Sequence, residues 1–169
     1  PLHASIDLLV VHSISLPPGE FGGNAILELF TNTLDCSSHP AFEDLAPLRV
    51  SAHFLIRRDG ETVQFVSCLK RAWHAGVSAF EGRERCNDFS VGIELEGIDS
   101  DIFTNAQYDA LIGVSAALTA RFPIFAVAAH SEIAPSRKTD PGPGFDWQKL
   151  LDSAPTLRRM RSPLGGAKS

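Results

Sequence analysis

The chain has 169 residues and weighs 18.3 kDa, the length of one domain with room for a sizeable buried core. Apolar residues make up 44% and charged residues 21%, which excludes a disordered or collagen-like chain. The formal charge of −5 argues against nucleic acid as the main partner, and no apolar run approaches the roughly 20 residues that a membrane helix needs.

Residues 6–12 (IDLLVVH) are apolar on both alternating sets, as in a strand covered on both faces. Residues 13–24 are turn-rich, with Pro17-Pro18-Gly19 and Gly22-Gly23. A short helix over 24–32 buries Ile26, Leu27, Leu29 and Phe30, and 35–48 reads as a loop with one helical turn. Residues 50–57 alternate like a strand, Arg58-Asp59-Gly60 forms a hairpin turn, and 62–66 return. Residues 70–88 form a long polar loop, and a loop of that length in a compact domain points to function. Another strand covers 89–95. Thr104 and Gln107 then have capping-box spacing, Tyr108, Leu111, Val114, Ala117 and Leu118 recur at helical spacing, and Pro123 ends the helix. Residues 124–129 form a last strand, 131–144 a Pro/Gly-rich loop, and Asp146 caps a final helix through Leu151.

This order predicts an α+β fold, a single domain with a central mixed β-sheet flanked by helices. The domain closes at residue 156 and leaves 157–169 as a basic, flexible tail. No acid follows Asp152, whereas Arg158, Arg159, Arg161 and Lys168 do, so the body keeps eleven bases against twenty acids. The three cysteines, Cys36, Cys68 and Cys86, are odd in number and widely spaced, against a disulfide scaffold or a thiolate zinc site. They fit a reducing compartment. No signal peptide is visible, because Asp7 interrupts the first apolar run and no basic segment precedes it. The chain starts at Pro1 rather than Met, so a lost leader stays open. These features together predict a cytoplasmic protein without membrane or nucleic-acid partners; a monomer is the expected state, although none of these features fixes it.

Two of the six histidines, His12 and His130, end apolar strands. In sheets covered by helices, ligands bind where strands end and side chains emerge into loops. Each imidazole either caps its strand or serves a site. Lys138 and Asp140 are two apart, so an extended backbone aims both the same way, and Pro141 favours that backbone at Asp140. Two imidazoles and a carboxylate are a full protein ligand set for a catalytic zinc, with the fourth position left to water. A solvated loop pair is the plainer reading of Lys138 and Asp140. Glu94 and Glu96 share one face of the strand whose other face carries Val91, Ile93 and Leu95. That face either meets solvent, the plainer reading, or lines a site.

Taken together, the segments LLVVHSISLPPGEFGG, LRVSAHFLIRRDG, RAWHAGVS, GRERCNDFSVGIELEG and HSEIAPSRKTDPGPGFDW resemble the AmpD group of zinc-dependent N-acetylmuramoyl-L-alanine amidases, over about residues 8–147. The resemblance implies one Zn²⁺ held by His12, His130 and Asp140, with Glu94 and Lys138 as the catalytic pair. It implies hydrolysis of the amide between the lactyl group of a muramic acid and L-alanine of the stem peptide. The implied substrates are the small 1,6-anhydro-muropeptides of cytoplasmic wall recycling, whose pool signals β-lactamase induction. Arg49 and Arg85 match positions that hold the peptide carboxylates, Trp73 either packs on substrate or joins the core, and His53 and His74 are recurrent but not ligands. His53 reads as a core or supporting histidine, and His74 as a residue that fixes its loop. Ser13 stands where Asn is usual beside the first ligand, which puts one substrate hydrogen bond in question, and Ala129 and Glu132 replace a Gly and an Asp. The alternatives are an exported amidase acting on intact wall and a non-catalytic muropeptide sensor. The presence of Asp140, Lys138 and Glu94 speaks against the sensor.

Overall fold

A computed structural model describes residues 5–159 of the chain. Eight strands and four helices follow in order: β1 (Leu8–Ile14), α1 (Ala25–Thr31), β2 (Phe54–Ile56), β3 (Thr62–Gln64), β4 (Ala79–Phe80), β5 (Arg83–Glu84), β6 (Ser90–Glu96), α2 (Asn105–Arg121), β7 (Ala126–Ala129), α3 (His130–Ile133), α4 (Trp147–Ser153) and β8 (Arg158–Arg159). Six strands form one sheet in the order β3-β2-β6-β1-β7-β8, parallel except for the β2–β3 hairpin, and β4 and β5 make a separate ribbon. The predicted mixed sheet flanked by helices is therefore the observed architecture.

The alternation within β1 and β6 sorts the core onto two faces. Leu9, Val11, Val91, Ile93 and Leu95 pack with Tyr108, Leu111 and Leu118 of α2 and Leu150 of α4. Leu8 and Val10 point the other way, against Ala75, Phe80, Cys86 and Phe89 of the long loop and the residues after it. The face of β6 that carries Glu94 and Glu96 is thus roofed by loops rather than solvated, and both carboxylates are buried. The solvated reading fails because the cover comes from segments distant in sequence.

Helix α2 starts where its sequence predicts. Thr104 Oγ1 accepts the Gln107 N–H at 3.1 Å, and the Gln107 side chain accepts the Thr104 N–H at 3.1 Å. A capping hydroxyl of this kind contributes about 1 kcal/mol. The buried stripe is Tyr108, Leu111, Ser115 and Leu118, whereas Ala117 is exposed and Val114 half-buried. The 3–4–3 spacing of the observed stripe follows the helical period more closely than the predicted apolar set did. Asp146 caps α4 by accepting the Lys149 N–H at 3.1 Å.

Several boundaries differ from the sequence reading, three of them by more than a residue or two at an end. Only Phe54–Ile56 of the predicted 50–57 strand joins the sheet, because the residues before it turn aside to meet the long loop: Ser51 N–H donates to Trp73 O at 3.1 Å. The long loop itself contains the β4–β5 ribbon and a 3₁₀ turn at Cys86–Asp88. The domain also continues past residue 156. Leu157 is buried, and Arg158–Arg159 pairs with β7, so these residues of the expected tail belong to the sheet. Residues 160–169 of that tail lie outside the described residues. The three cysteines are free, and no described helix is long and apolar enough to cross a membrane.

Candidate metal centre and active site

Sheet register assembles the centre. His12 of β1 lies opposite Glu94 of β6, and Val11 lies opposite Ala129 of β7, so His130, the next residue, arrives beside His12. At His130 the chain turns from strand into α3. Glu132 Oε2 accepts the Ala129 N–H at 2.8 Å, and Arg159 grips the other oxygen of Glu132 at 3.0 Å. Glu132 thereby does the work of fixing the turn that presents His130. Asp140 comes from the Pro/Gly-rich loop, tied to α3 by the Ser131 N–H donating to Asp140 O at 3.0 Å.

The three expected ligand atoms meet. His12 Nδ1 lies 2.9 Å from His130 Nδ1 and 3.2 Å from Asp140 Oδ2, and His130 Nδ1 lies 3.1 Å from that same oxygen. Tetrahedral zinc with bonds of about 2.0–2.1 Å sets its ligand atoms about 3.3 Å apart. The triangle has that size, so these residues could hold the ion.

Hydrogen bonding sets the tautomers the same way. His130 Nε2 faces the Ala75 carbonyl at 3.2 Å, which only accepts, so the proton sits on Nε2 and Nδ1 keeps its lone pair. For His12 the chain of inference is longer. Ser90 Oγ donates to Cys86 O at 2.6 Å and so accepts from His74 Nε2 at 3.2 Å. His74 Nδ1 then accepts from His12 Nε2 at 2.9 Å, which leaves His12 Nδ1 bare. Two bare imidazole nitrogens 2.9 Å apart have no proton to share and call for a cation between them.

The charge states agree. Burial lowers the His12 pKa to about 4, with His130 and Lys138 adding to the shift against the opposing pull of the Asp140 carboxylate. Burial and the neighbouring imidazoles hold His74 well below its ordinary value. Burial alone would raise Asp140, yet its closeness to the His12 and His130 rings holds it below the usual carboxylate range. Neutral imidazoles and an ionised carboxylate are the forms that bind metal.

His74 was expected to fix its loop, but its ring supports His12 instead. The backbone of that loop is fixed by Asn87, whose Oδ1 accepts the N–H groups of His74 and Ala75 at 3.1 and 2.9 Å. A Cβ at Gly92 would overlap the His74 ring, so glycine is required where that ring crosses β6. His53 lies next to it, buried, accepting the Gly92 N–H at 3.0 Å and bonding Lys70 O at 3.0 Å.

Glu94 Oε1 stands 3.9 Å from His12 Nδ1. Burial first, and the Asp140 charge second, push its pKa well above the ordinary value, against the opposing pull of Lys138. Lys138 itself is exposed, near enough for its charge to act on both Glu94 and His12.

The substrate-binding candidates spread over the rim. Trp73 is 54% exposed, so it does not join the core. Its backbone is pinned to Ser51, and the Arg71 guanidinium lies 4.9 Å from its ring. Arg49 and Trp73 line one open cleft of about 460 Å³ with Asn32, Val50 and Ser51. Arg85 lies elsewhere, pairing with Asp88 at 3.4 Å and bordering a cleft of about 580 Å³ with Arg137. Arg49 and Arg85 thus border two different clefts. Ser13 donates its hydroxyl to Asp99 at 2.9 Å. Sequence spacing pointed to neither Arg71 nor Arg137, which donates to the carbonyls of Ala75 and Val77 at 2.6 and 2.9 Å. Both belong to irregular loops, where no periodicity marks a side chain.

Residues 3–143 match the family described as N-acetylmuramoyl-L-alanine amidase, Amidase_2. The chain belongs to this family. It is an N-acetylmuramoyl-L-alanine amidase, and the family is generally zinc-dependent, in keeping with the donor triangle. The chain is 63% identical over 146 residues to the 1,6-anhydro-N-acetylmuramyl-L-alanine amidase AmpD of Citrobacter freundii, covering 85% of this chain and 78% of the relative. It is 62% identical over 145 residues to the protein of the same name from Escherichia coli, covering 85% and 79%. A crystal structure of a selenomethionine AmpD derivative superposes with a TM-score of 0.87 at 60% identity, over 88% of this chain and 84% of that one. A human peptidoglycan-recognition structure, at 15% identity and a TM-score of 0.56 over 94% of this chain and 92% of that one, shares the fold alone. Within this amidase family the AmpD-type resemblance read from the sequence holds.

Proposed function

We propose that the protein is a zinc-dependent amidase that cleaves the bond between the lactyl group of 1,6-anhydro-N-acetylmuramic acid and L-alanine of the stem peptide. The observation that supports this reading most directly is the 2.9–3.2 Å triangle of His12 Nδ1, His130 Nδ1 and Asp140 Oδ2, with Glu94 3.9 Å from its edge. Bound in that triangle, zinc supplies Lewis acidity, drawing the pKa of water towards about 7 and polarising the scissile carbonyl.

The chain's own groups do the rest. Glu94 takes a proton from the attacking water and delivers one to the departing alanine nitrogen. Its raised pKa brings the carboxyl nearer the working range for both transfers. The Lys138 ammonium faces the carbonyl oxygen as negative charge builds there. His74 and Ala75 O keep the protons of His12 and His130 on Nε2. Arg49 and Arg85 bind carboxylates of the stem peptide, and Trp73 presents an apolar face to it.

Relatives named for the 1,6-anhydro substrate support the choice of a soluble muropeptide over intact wall. A solved amidase complex described as holding anhydro-N-acetylmuramic acid-L-Ala-D-γ-Glu-L-Lys is 32% identical to this chain, with a TM-score of 0.65 over 88% of this chain and 57% of that one. The reading places the protein in the cytoplasm as a monomer that recycles wall fragments and so lowers the muropeptide signal for β-lactamase induction. The test is incubation of zinc-loaded protein with a 1,6-anhydro-muropeptide and, separately, with polymeric wall. Release of a peptide with a free N-terminal L-alanine, faster from the soluble substrate, is the expected result. Binding without release favours the sensor, and preference for polymeric wall favours the exported enzyme.

A further inference from the structure

The residues around the metal triangle come from opposite ends of the chain, and one side chain touches both ends. Asp99 lies in the loop between β6 and α2. Its Oδ1 accepts the hydroxyl of Ser13, the residue after His12, at 2.9 Å. Its Oδ2 accepts the hydroxyl of Thr139, the residue between Lys138 and Asp140. Its backbone carbonyl accepts the Gly144 N–H at 3.3 Å. The same loop presses onto Asp99 from above. Gly142 has φ +80°, and a Cβ there would overlap the Asp99 backbone. Glycine is needed at that position for both reasons.

We infer that Asp99 is a positioning residue that clamps the 138–140 segment to the end of β1 and so sets where Asp140 and Lys138 stand relative to His12. This rests on the metal-dependent reading above. Lys138 and Thr139 are exposed and Asp140 only half-buried, so packing alone does little to hold them. The other anchor of Asp140, the Ser131 N–H, joins it to α3 and the His130 side of the centre, not to β1. A ligand has to sit within about 0.5 Å of its productive position. One carboxylate with an oxygen on each segment fixes the spacing between them. Ser13 then has a positioning role, because its hydroxyl proton is committed to Asp99.

The test measures zinc affinity by chelator competition, kcat and KM on a 1,6-anhydro-muropeptide, and Tm, in the full chain. Asp99→Ala removes both acceptors. Zinc Kd is expected to rise about 10–100-fold, the range for a group that orients a metal ligand. kcat falls by about tenfold or more, with KM within about threefold. Asp99→Asn keeps one acceptor and offers an amide donor that a hydroxyl can accept, so zinc Kd and kcat return to within about threefold of the parent. Thr139→Val cuts one arm at an exposed position and carries the test if Asp99→Ala fails to fold. It is expected to weaken zinc by about three- to tenfold at unchanged Tm. Parent-like zinc affinity and kcat in Thr139→Val, or in a folded Asp99→Ala, overturn the clamp. A parent protein that binds no zinc overturns the functional reading itself, which is a separate outcome.

Discussion

The strand-borne groups of the centre and the exposed rim around it are built on different principles, with the half-buried, loop-borne Asp140 between the two. His12, His130 and Glu94 are buried on or directly after parallel strands, and sheet register brings them together. Arg49, Arg85, Trp73 and Lys138 are exposed, on loops whose positions depend on local contacts such as Arg85–Asp88. Rigid strands suit atoms that have to meet within tenths of an ångström, whereas a flexible peptide needs charge placed only approximately. The difference predicts that changes in the triangle act on metal and turnover, and changes at Arg49, Arg85 or Trp73 on substrate affinity.

The largest effect is expected for Asp140→Ala. Metal content by elemental analysis and turnover should fall together, turnover by on the order of 10³-fold or more, because the ion supplies several kcal/mol of transition-state stabilisation. Glu94→Gln should separate the two: zinc stays bound while kcat drops about 10²–10⁴-fold, the contribution of a positioned acid–base group. A Glu94→Gln protein with parent kcat removes this residue from the mechanism. His74→Phe breaks the hydrogen bond to His12 Nε2 and should weaken zinc by about 10–100-fold in a chelator titration.

A metal-free sample sharpens the comparison through pH. His12 and His74 hold their pKa values below the unfolded 6.5, so the unfolded chain binds more protons than the folded one below that pH. Their contribution is intact above about pH 6.5 and is lost as the pH falls, for His12 through about 4. Glu94 acts oppositely, since its folded pKa is raised: stability is lost as the pH rises above about 4.5. Thermal melts of chelated protein between pH 7 and 5 should therefore show a shallower slope in His74→Phe and a steeper one in Glu94→Gln. Identical slopes in all three would refute these assignments. The smallest effect belongs to the rim. Arg85→Ala should raise KM about fivefold, the value of one exposed charged hydrogen bond, with kcat unchanged.

How much of this was legible in the sequence follows the same division. The strands ending in His12 and His130 were readable because apolar runs mark strands, and the segments matched in order told which ligands to expect. Thr104 and Gln107 announced their helix because a capping box is local. The burial of Glu94 and Glu96 was not readable, since their covers are residues such as Gly22, whose N–H reaches Glu96 Oε1 at 2.6 Å from 74 positions away. The contact of His74 with His12 spans 62 positions. Asp99 and Arg137 sit in irregular loops, where no periodic pattern exists to single them out. The sheet pairing of Arg158 and Arg159 was hidden by their charge, which reads as a solvated end until Glu132 and the Trp147 ring are seen to receive Arg159.

Gln107 closes the helix cap and also donates to Ile56 O at 3.3 Å and Glu96 O at 2.9 Å, the last residues of two sheet strands. One amide thus latches the long helix to the floor of the reaction chamber. The floor cannot fray on its own: freeing the end of β6 uncaps α2 in the same event. Slow amide exchange around Glu94 should report melting of the whole molecule, with no partial opening beforehand.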